Sequence, residues 1–468
     1  MPINTTHPDY SKFSPAWLRN RTAYAGQRAI KAAGEEFLPR LPGHKKTPQG
    51  NEAYEAYKAQ AHWLGMTKRT VEGLKGAACW KSPKIEMPNV LDGLVRREDL
   101  RFSVQDLLIS GRNSILVEIG QDKEFRLCLY SAERVINWIG GPGAWETVVV
   151  DVSRFERDPE DPYAQTLVTR YLELSLADGK YQQQLWRESE KEQDGFEPEG
   201  KPIIPQQRGK PLDFIPFVLY GHTGQGGTPE EPPISEVVDC NVSHYQTDAL
   251  HKQVLTKGAL VQPYATGWNG KDGNGNDVTD MAFGGGALWN FPNPETRVGL
   301  LEPSGSSFEA YERDKSAIKE NAAAMGARLL ENQRKAAETA ETTRLRTSAE
   351  QSVLAAIVDA VEEAFTSAAQ MAARWAGVSE DKCLVEMSRD FLNTVATPDE
   401  MRSWMQQVQA GLMSYERYAW LCNQGEVWIP ERTTEEELEA IAQDQTRLAN
   451  SATLSGTTPS LGSTRQAF

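Results

Sequence analysis

Apolar residues recur at three- and four-residue steps through two long stretches in the C-terminal half of the chain. In Ser306–Glu331 the seam is Phe308, Tyr311, Lys315, Ile318, Ala322, Met325 and Leu329. In Glu338–Ala376 a broader, alanine-rich stripe carries Val353, Ile357, Ala360, Ala364, Phe365, Ala368, Met371 and Trp375. Both patterns predict helices. At 1.5 Å per residue they would run roughly 39 Å and 58 Å, well beyond the usual three turns. The joint, Asn332-Gln333-Arg334-Lys335-Ala336-Ala337, has no proline or glycine, so helix, kink and loop all stay open there. The first seam is thin, and its other faces carry Glu309, Glu312, Arg313, Asp314, Lys319, Glu320 and Arg328. A helix of that kind packs readily against copies of itself. The second stripe also fits an ordinary core helix.

Upstream, residues 11–80 show helical spacing, broken at Leu38-Pro-Arg-Leu-Pro-Gly-His, and Val95–Ser110 reads as a helix stopped by Gly111. A β-rich section follows. Residues 114–119 and 125–130 predict a hairpin, residues 147–152, 167–176 and 181–186 further strands, and Asp178-Gly179 a tight turn. The charged, proline-rich residues 188–213 read as an exposed loop, and residues 214–220 as extended chain before a Gly/Pro-rich joint at 221–233. A helix is expected from Ser235, read as its N-cap, to about Lys257. Short strands are expected in 259–305, then the two long helices, a strand at 383–387 and helices at about 398–411, 414–424 and 434–449. The Ser/Thr/Gly-rich end from Ser451 reads as disordered.

Composition narrows the class. The 468 residues are enough for two to four domains, with 39% hydrophobic and 25% charged residues. No apolar run of 18 residues predicts a membrane span, and the N-terminus lacks a signal-peptide pattern. Five cysteines, widely spaced and without a C-x-x-C pair, predict buried thiols in a reduced protein rather than a disulfide or zinc framework. The net charge of −15 argues against a surface that grips nucleic acid through its phosphates. Glu230–His251 holds five acids and no lysine or arginine, which helix-dipole matching explains in part. Glu331–Arg346 holds Arg334, Lys335, Arg344 and Arg346 against Glu331, Glu338 and Glu341, a locally basic joint in an acidic chain. A solvated loop is its simplest reading.

Site motifs are few. Asp272-Gly-Asn-Gly-Asn-Asp imitates a calcium loop, but Asp277 and Phe283 stand where glycine and a bidentate glutamate belong, so a flexible turn is expected. Cys240, His244, Asp248 and His251 share one helix face. One straight helix seldom supplies more than two ligands to a zinc ion, so a polar interface is expected there and no metal site. There is neither a phosphate-binding G-x-x-x-x-G-K-[ST] nor a nucleophile G-x-S-x-G, and no catalytic or cofactor-binding residue is expected.

Several patches in order carry a resemblance. They are Glu35-Glu-Phe-Leu-Pro-Arg-Leu-Pro-Gly, Arg69-Thr-Val-Glu-Gly-Leu-Lys-Gly, Pro216-Phe-Val-Leu-Tyr-Gly with Pro232-Pro-Ile and Asn241-Val-Ser-His-Tyr, and Met325-Gly-Ala-Arg-Leu-Leu with Ala337-Glu-Thr-Ala-Glu. With the order of elements, they make the chain resemble, over most of residues 10–450, a compact subgroup of the portal proteins of tailed bacteriophages. The resemblance implies an α+β portal fold. Its wing would span 1–233, its first stem helix 234–258, its β-rich clip 259–305 and its second stem helix 306–330. A tunnel loop at 331–340, a long wing-spanning helix with a return to the wing at 341–396, a short helical crown at 397–450 and a disordered tail at 451–468 would complete it. It implies a homo-oligomer, usually of twelve subunits, at one capsid vertex of the virion, assembled in the host cytoplasm and not membrane-bound. Double-stranded DNA would pass through it in packaging and ejection. The terminase large subunit, a head–tail adaptor, and capsid and scaffolding proteins would be its partners. It implies no enzyme activity and no cofactor. Arg334, Lys335, Glu331, Glu338 and Glu341 would belong to the tunnel loop, and Phe308, Tyr311, Ile318, Met325 and Leu329 to stem packing. Another capsid-associated ring or connector protein is the alternative, and a carboxylate-dependent hydrolase a more distant one.

Overall fold

The computed structural model describes residues 2–259 except 121, 159–160, 162 and 190–194, together with 262–267, 270–271, 277, 295–301, 306–328, 353–389, 391, 398–410 and a few single positions after 410. Residues 1–391 form one compact unit and 392–468 another. The fold is α+β.

The first unit opens with helices. In α1 (Pro8–Ala25) Pro8 occupies the first turn, where no N–H is needed, and the His7 ring accepts from the Asp9 N–H. Gly26, at φ 93°, turns the chain into α2 (Gln27–Ala33). Helix α3 (Pro48–Gln60) is capped by the Thr47 hydroxyl, which accepts from the Gly50 N–H at 3.2 Å. Helix α4 (Met66–Ala78) buries Thr67, Val71, Leu74 and Ala78 on one face. After the short strand β1 (Lys84–Glu86), α5 (Arg97–Ser110) begins with Asp99 accepting from the Arg96 N–H and ends at Gly111 in the left-handed conformation.

Strands β2 (Arg112–Ile119), β3 (Phe125–Ser131), β4 (Val135–Gly141), β5 (Ala144–Asp151), β6 (Arg154–Arg157), β7 (Gln165–Val168), β8 (Arg170–Ala177), β9 (Lys180–Glu188), β10 (Phe196–Ile203), β11 (Gln206–Gln207), β12 (Lys210–Pro211), β13 (Phe217–Gly221) and β14 (Gly224–Gln225) follow in turn. A four-stranded sheet runs β14-β13-β2-β3 and a five-stranded one β10-β9-β8-β5-β4, both antiparallel. Arg112–Val117 of β2 are all buried.

Helix α6 (Ser235–Ala259), strands β15 (Gln262–Thr266) and β16 (Arg297–Leu301), helix α7 (Ser306–Arg328), helix α8 (Val353–Ala376) and strand β17 (Leu384–Glu386) complete the first unit. Helix α8 lies at the core of this first unit. Leu354, Ile357, Val358, Val361, Ala364, Phe365, Ala368, Ala369, Ala372 and Ala373 have no exposed surface, and they pack against α5, β2 and β13. Alanines on its stripe let sheet and helices approach closely. In the second unit the described element is α9 (Pro398–Gln409).

Two expectations need correction. Residues 188–213 are not simply a loop, because β10 pairs with β9 and β11 with β12. Strand β10 lies at the edge of its sheet, where Pro198 is tolerated, and Glu197 and Glu199 are held by Arg187 and Arg170. Charge and proline there mark an edge, not an absence of structure. Ser235 is the first helical residue rather than the cap: the Ile234 carbonyl already accepts from the Val238 N–H, and the Ser235 hydroxyl accepts from Asn20. Of the second long stretch, 353–376 is helical, and 338–352 lies outside the described residues. So do residues 287–291, the calcium-like turn apart from Asp277, most of 414–449, and the end from Ser451.

Candidate functional site: the α6–α7 hairpin

Successive turns of α6 are tied to the helical N-terminal region. Asn20 Nδ2 donates to Ser235 Oγ at 3.2 Å, and both the N–H and the hydroxyl of Thr67 donate to Asn241 Oδ1 at 3.1 Å. Gln246 donates to the Phe37 carbonyl at 3.0 Å, and the His62 N–H to Asp248 Oδ2 at 3.0 Å. Lys252 Nζ reaches the Gln60 carbonyl at 2.9 Å. Past Lys252 this anchoring stops, and Leu255 and Thr256 are exposed. The last turns of α6 therefore leave the body, and β15 and β16 pair beyond them.

Helix α7 returns antiparallel along α6. Tyr311 stacks on His251 with ring centroids 5.4 Å apart, Asp314 accepts from Thr247 at 3.2 Å, and Met325 meets Cys240 at 3.5 Å. Near its end a Cβ on Gly326 would sit 3.1 Å from Thr70 Cγ2, so glycine permits the close approach to α4. Tyr311, Lys315, Ile318 and Met325 are half-buried and Ala322 is buried, whereas Glu309, Glu312, Arg313, Asp314, Lys319 and Glu320 are exposed. Helix α7 thus presents one thin seam to its neighbour and a charged face to solvent.

At the middle of the contact Asp248 is nearly buried. Its carboxylate faces Lys252 at 3.0 Å and Lys315 at 3.6 Å, besides the His62 N–H. Burial works against ionisation, but the bonds from Lys252 and His62 and the charges of Lys252 and Lys315 outweigh it, and they hold the Asp248 carboxyl below its ordinary range. Lys315 also meets Glu312 at 2.9 Å, and His251 meets Glu312 at 3.3 Å. His244, one turn before Asp248, is buried with no hydrogen-bond partner among the described residues on either ring nitrogen. Burial pushes its imidazole pKa down; Lys319 and Lys315 add to this and Asp248 opposes it.

The side chains of Cys240, Asp248 and His251 are thus engaged by α7 and by the chain before α4. Among the described residues no three His, Cys, Asp or Glu side chains converge as a metal-binding group, and no helix is long and apolar enough to cross a membrane. Of the stem-packing residues, Tyr311, Ile318 and Met325 lie on the α6-facing side, Phe308 lies in α7 with its side chain not described, and Leu329 is outside the described residues. Glu331, Arg334, Lys335, Glu338 and Glu341 are also outside them. Asp248 and Lys252 have the i,i+4 spacing of a helix pair. The contacts of Lys315 and His62 with Asp248 and the Thr67–Asn241 bonds have no such local sign, because they join residues far apart in sequence.

A domain of unknown function, DUF4055, matches residues 233–376. That span runs from the joint before α6 through the hairpin and its insert to the last turn of the core helix α8, so these elements recur together as a unit. No curated protein matches the chain.

Proposed function

We propose that this chain is the subunit of a portal: a ring at one vertex of a tailed-phage capsid through which double-stranded DNA is packaged and later ejected. The observation that carries the reading is the α6–α7 hairpin. It is anchored at one end to the body, leaves it at the other, carries an inserted β-pair beyond its far end, and keeps α7 exposed on all but one seam. A lone globule gains little from a long helix so poorly buried. Copies arranged about an axis would give α7 neighbours on its flanks and leave part of its charged face to line a bore. On the side away from α6, Glu309 and Glu320 stand against Arg313, while Glu312 and Asp314 turn back toward α6. A conduit must surround DNA without gripping it. Net negative walls release no counterions and leave the duplex mobile, where a basic wall would bind it and stall its passage.

In this reading α6 and α7 are the stem, and residues 259–305 are the clip that meets the terminase and then the head–tail adaptor. The core helix α8 carries the load of the stem into the wing, and residues 331–340 are the tunnel loop. The subunit performs no chemistry of its own. Mass photometry with negative-stain imaging of the purified chain tests the proposal: it expects particles many times the 52.0 kDa chain mass with a central hole.

A further inference from the structure

Strands β5 and β8 continue without a change of register into β6 and β7. Asp151 pairs with Tyr171, the Val152 N–H bonds to the Arg170 carbonyl, and Arg154 pairs with Val168. The two pairs are therefore one long hairpin, whose outer part passes the end of β9 as a two-stranded arm. The base of the arm is fixed. Arg170 is bonded to both Glu156 and Glu199, and Arg134 donates to the carbonyls of Asp151 and Ser153 at 3.3 and 3.2 Å.

The arm carries apolar groups that the described residues leave exposed. Phe155 and Leu167 are directly paired, so they share a face, and they are 67% and 54% exposed. Tyr163, at the tip, is 95% exposed. At the foot of the same arm lies an open cleft of about 420 Å³. Phe102, Leu129, Tyr130 and Val152 line it together with the polar Ser131, Arg134, Asp151 and Ser153. A lining of mixed apolar and polar groups suits a tyrosine, whose ring wants burial and whose hydroxyl wants a partner. Asp161 near the tip carries a charge opposite to that of Arg134 in the cleft, which is itself paired with Asp151 at 3.3 Å. Tyr163 cannot reach its own cleft, because the five residues from Ser153 to the tip at Asp158 extend the ribbon about 16 Å away from it.

We infer that the arm seats Tyr163 in the Phe102–Leu129–Val152 cleft of the next copy of this chain, with Phe155 and Leu167 lying against that neighbour. Knob and cleft are different patches of one chain, so the contact is head-to-tail and propagates around a ring. The inference rests on the reading of the chain as a ring subunit.

The test uses the full-length chain with Tyr163→Cys and Phe102→Cys combined, treated with a short bis-maleimide and run on denaturing gels, alongside mass photometry of Tyr163→Asp. The contact predicts a ladder of cross-linked multimers from the double variant, dimers and no ladder from an equal mixture of the two single variants, and from either single variant alone no cross-links beyond those that the five native cysteines give in the unsubstituted chain. It also predicts that Tyr163→Asp raises the concentration for half-assembly about tenfold or more, whereas Tyr163→Phe does so much less. Rings that form normally with Tyr163→Asp and give no ladder overturn the arm contact and leave the ring reading standing. Cross-links confined within single chains overturn the contact as well. A chain that stays monomeric at every concentration overturns the ring reading and the contact with it.

Discussion

Asp248 on α6 meets Lys315 of α7 and the His62 N–H at once, and the cost of removing it follows from these partners. Its side chain is 9% exposed and that of Lys315 12%. Asp248→Ala leaves the His62 N–H without its acceptor, at about 1–2 kcal/mol. It also leaves Lys315 in a largely buried position with only the exposed Glu312 as counter-charge, about 1 kcal/mol more. Lys252 is more exposed and keeps the Gln60 carbonyl, so its share is no more than about 0.5 kcal/mol. The expected loss is about 3 kcal/mol. Asp248→Asn keeps an acceptor for His62 and loses only the charge, so about 1–1.5 kcal/mol is expected. Urea unfolding followed by tryptophan fluorescence reads this directly, since Trp63 packs edge-on against Tyr245 beside the site, with ring centroids 5.7 Å apart. Wild type and variants are compared in the same oligomeric state. The carboxyl is held below its unfolded value, so its contribution is present above about pH 4 and is lost as pH falls through the lower folded value. An Asp248→Ala loss under about 0.5 kcal/mol, or an Asn variant as damaged as the Ala variant, would refute the reasoning.

Other predictions follow from single side chains. His244 is disfavoured as the imidazolium when folded, so the unfolded chain binds more protons below about pH 6.5 and stability falls with acidification there. His244→Phe should flatten that slope when urea midpoints at pH 7.5 and 5.5 are compared. Asp106 has the opposite sign: burial raises its carboxyl to about 7, against the pull of Arg21, so its stabilising effect is full below its unfolded value and is lost as pH rises through about 7. Asp106→Asn should therefore cost less at pH 8 than at pH 5 in the same assay. Phe365→Ala in α8 should cost about 3–5 kcal/mol, because the ring is fully buried at the centre of the core; a thermal scan showing no shift would contradict the placement. Arg334→Glu with Lys335→Glu should assemble normally and package DNA poorly, and normal packaging by that variant would remove the joint from the mechanism.

What the sequence disclosed and what it withheld divide along physical lines. Elements whose signal is local were legible. Gly111 closes α5 with φ at 70°, and Asp178-Gly179, both at positive φ, turn β8 into β9. The 114–119 and 125–130 hairpin is in the structure. The stripe of α8 was legible too, since Ile357, Ala360, Ala364, Phe365 and Ala368 fall on its buried side, and the choice between a core helix and an assembly wall needed the packing of α5, β2 and β13 to decide it. Strand β10 was missed because its pairing partner, not its composition, makes it a strand. The arm was half-read: residues 167–176 looked like one strand, but only the pairing of Phe155 with Leu167 shows a ribbon that outruns its sheet. In the hairpin, the seam of α7 was visible as periodicity, but the buried Asp248 also draws on Lys315 and His62, which lie far from it in sequence and leave no local pattern.

A portal subunit would set its α6–α7 hairpin beside those of identical chains around a common axis and leave an electronegative bore. Negative-stain class averages of the purified full-length chain, with particle mass measured on the same sample, test it most directly. Rings built from many 52.0 kDa subunits with a hole wide enough for a DNA duplex are expected. Particles of a single chain mass, or assemblies with no central opening at any concentration, would contradict this reading.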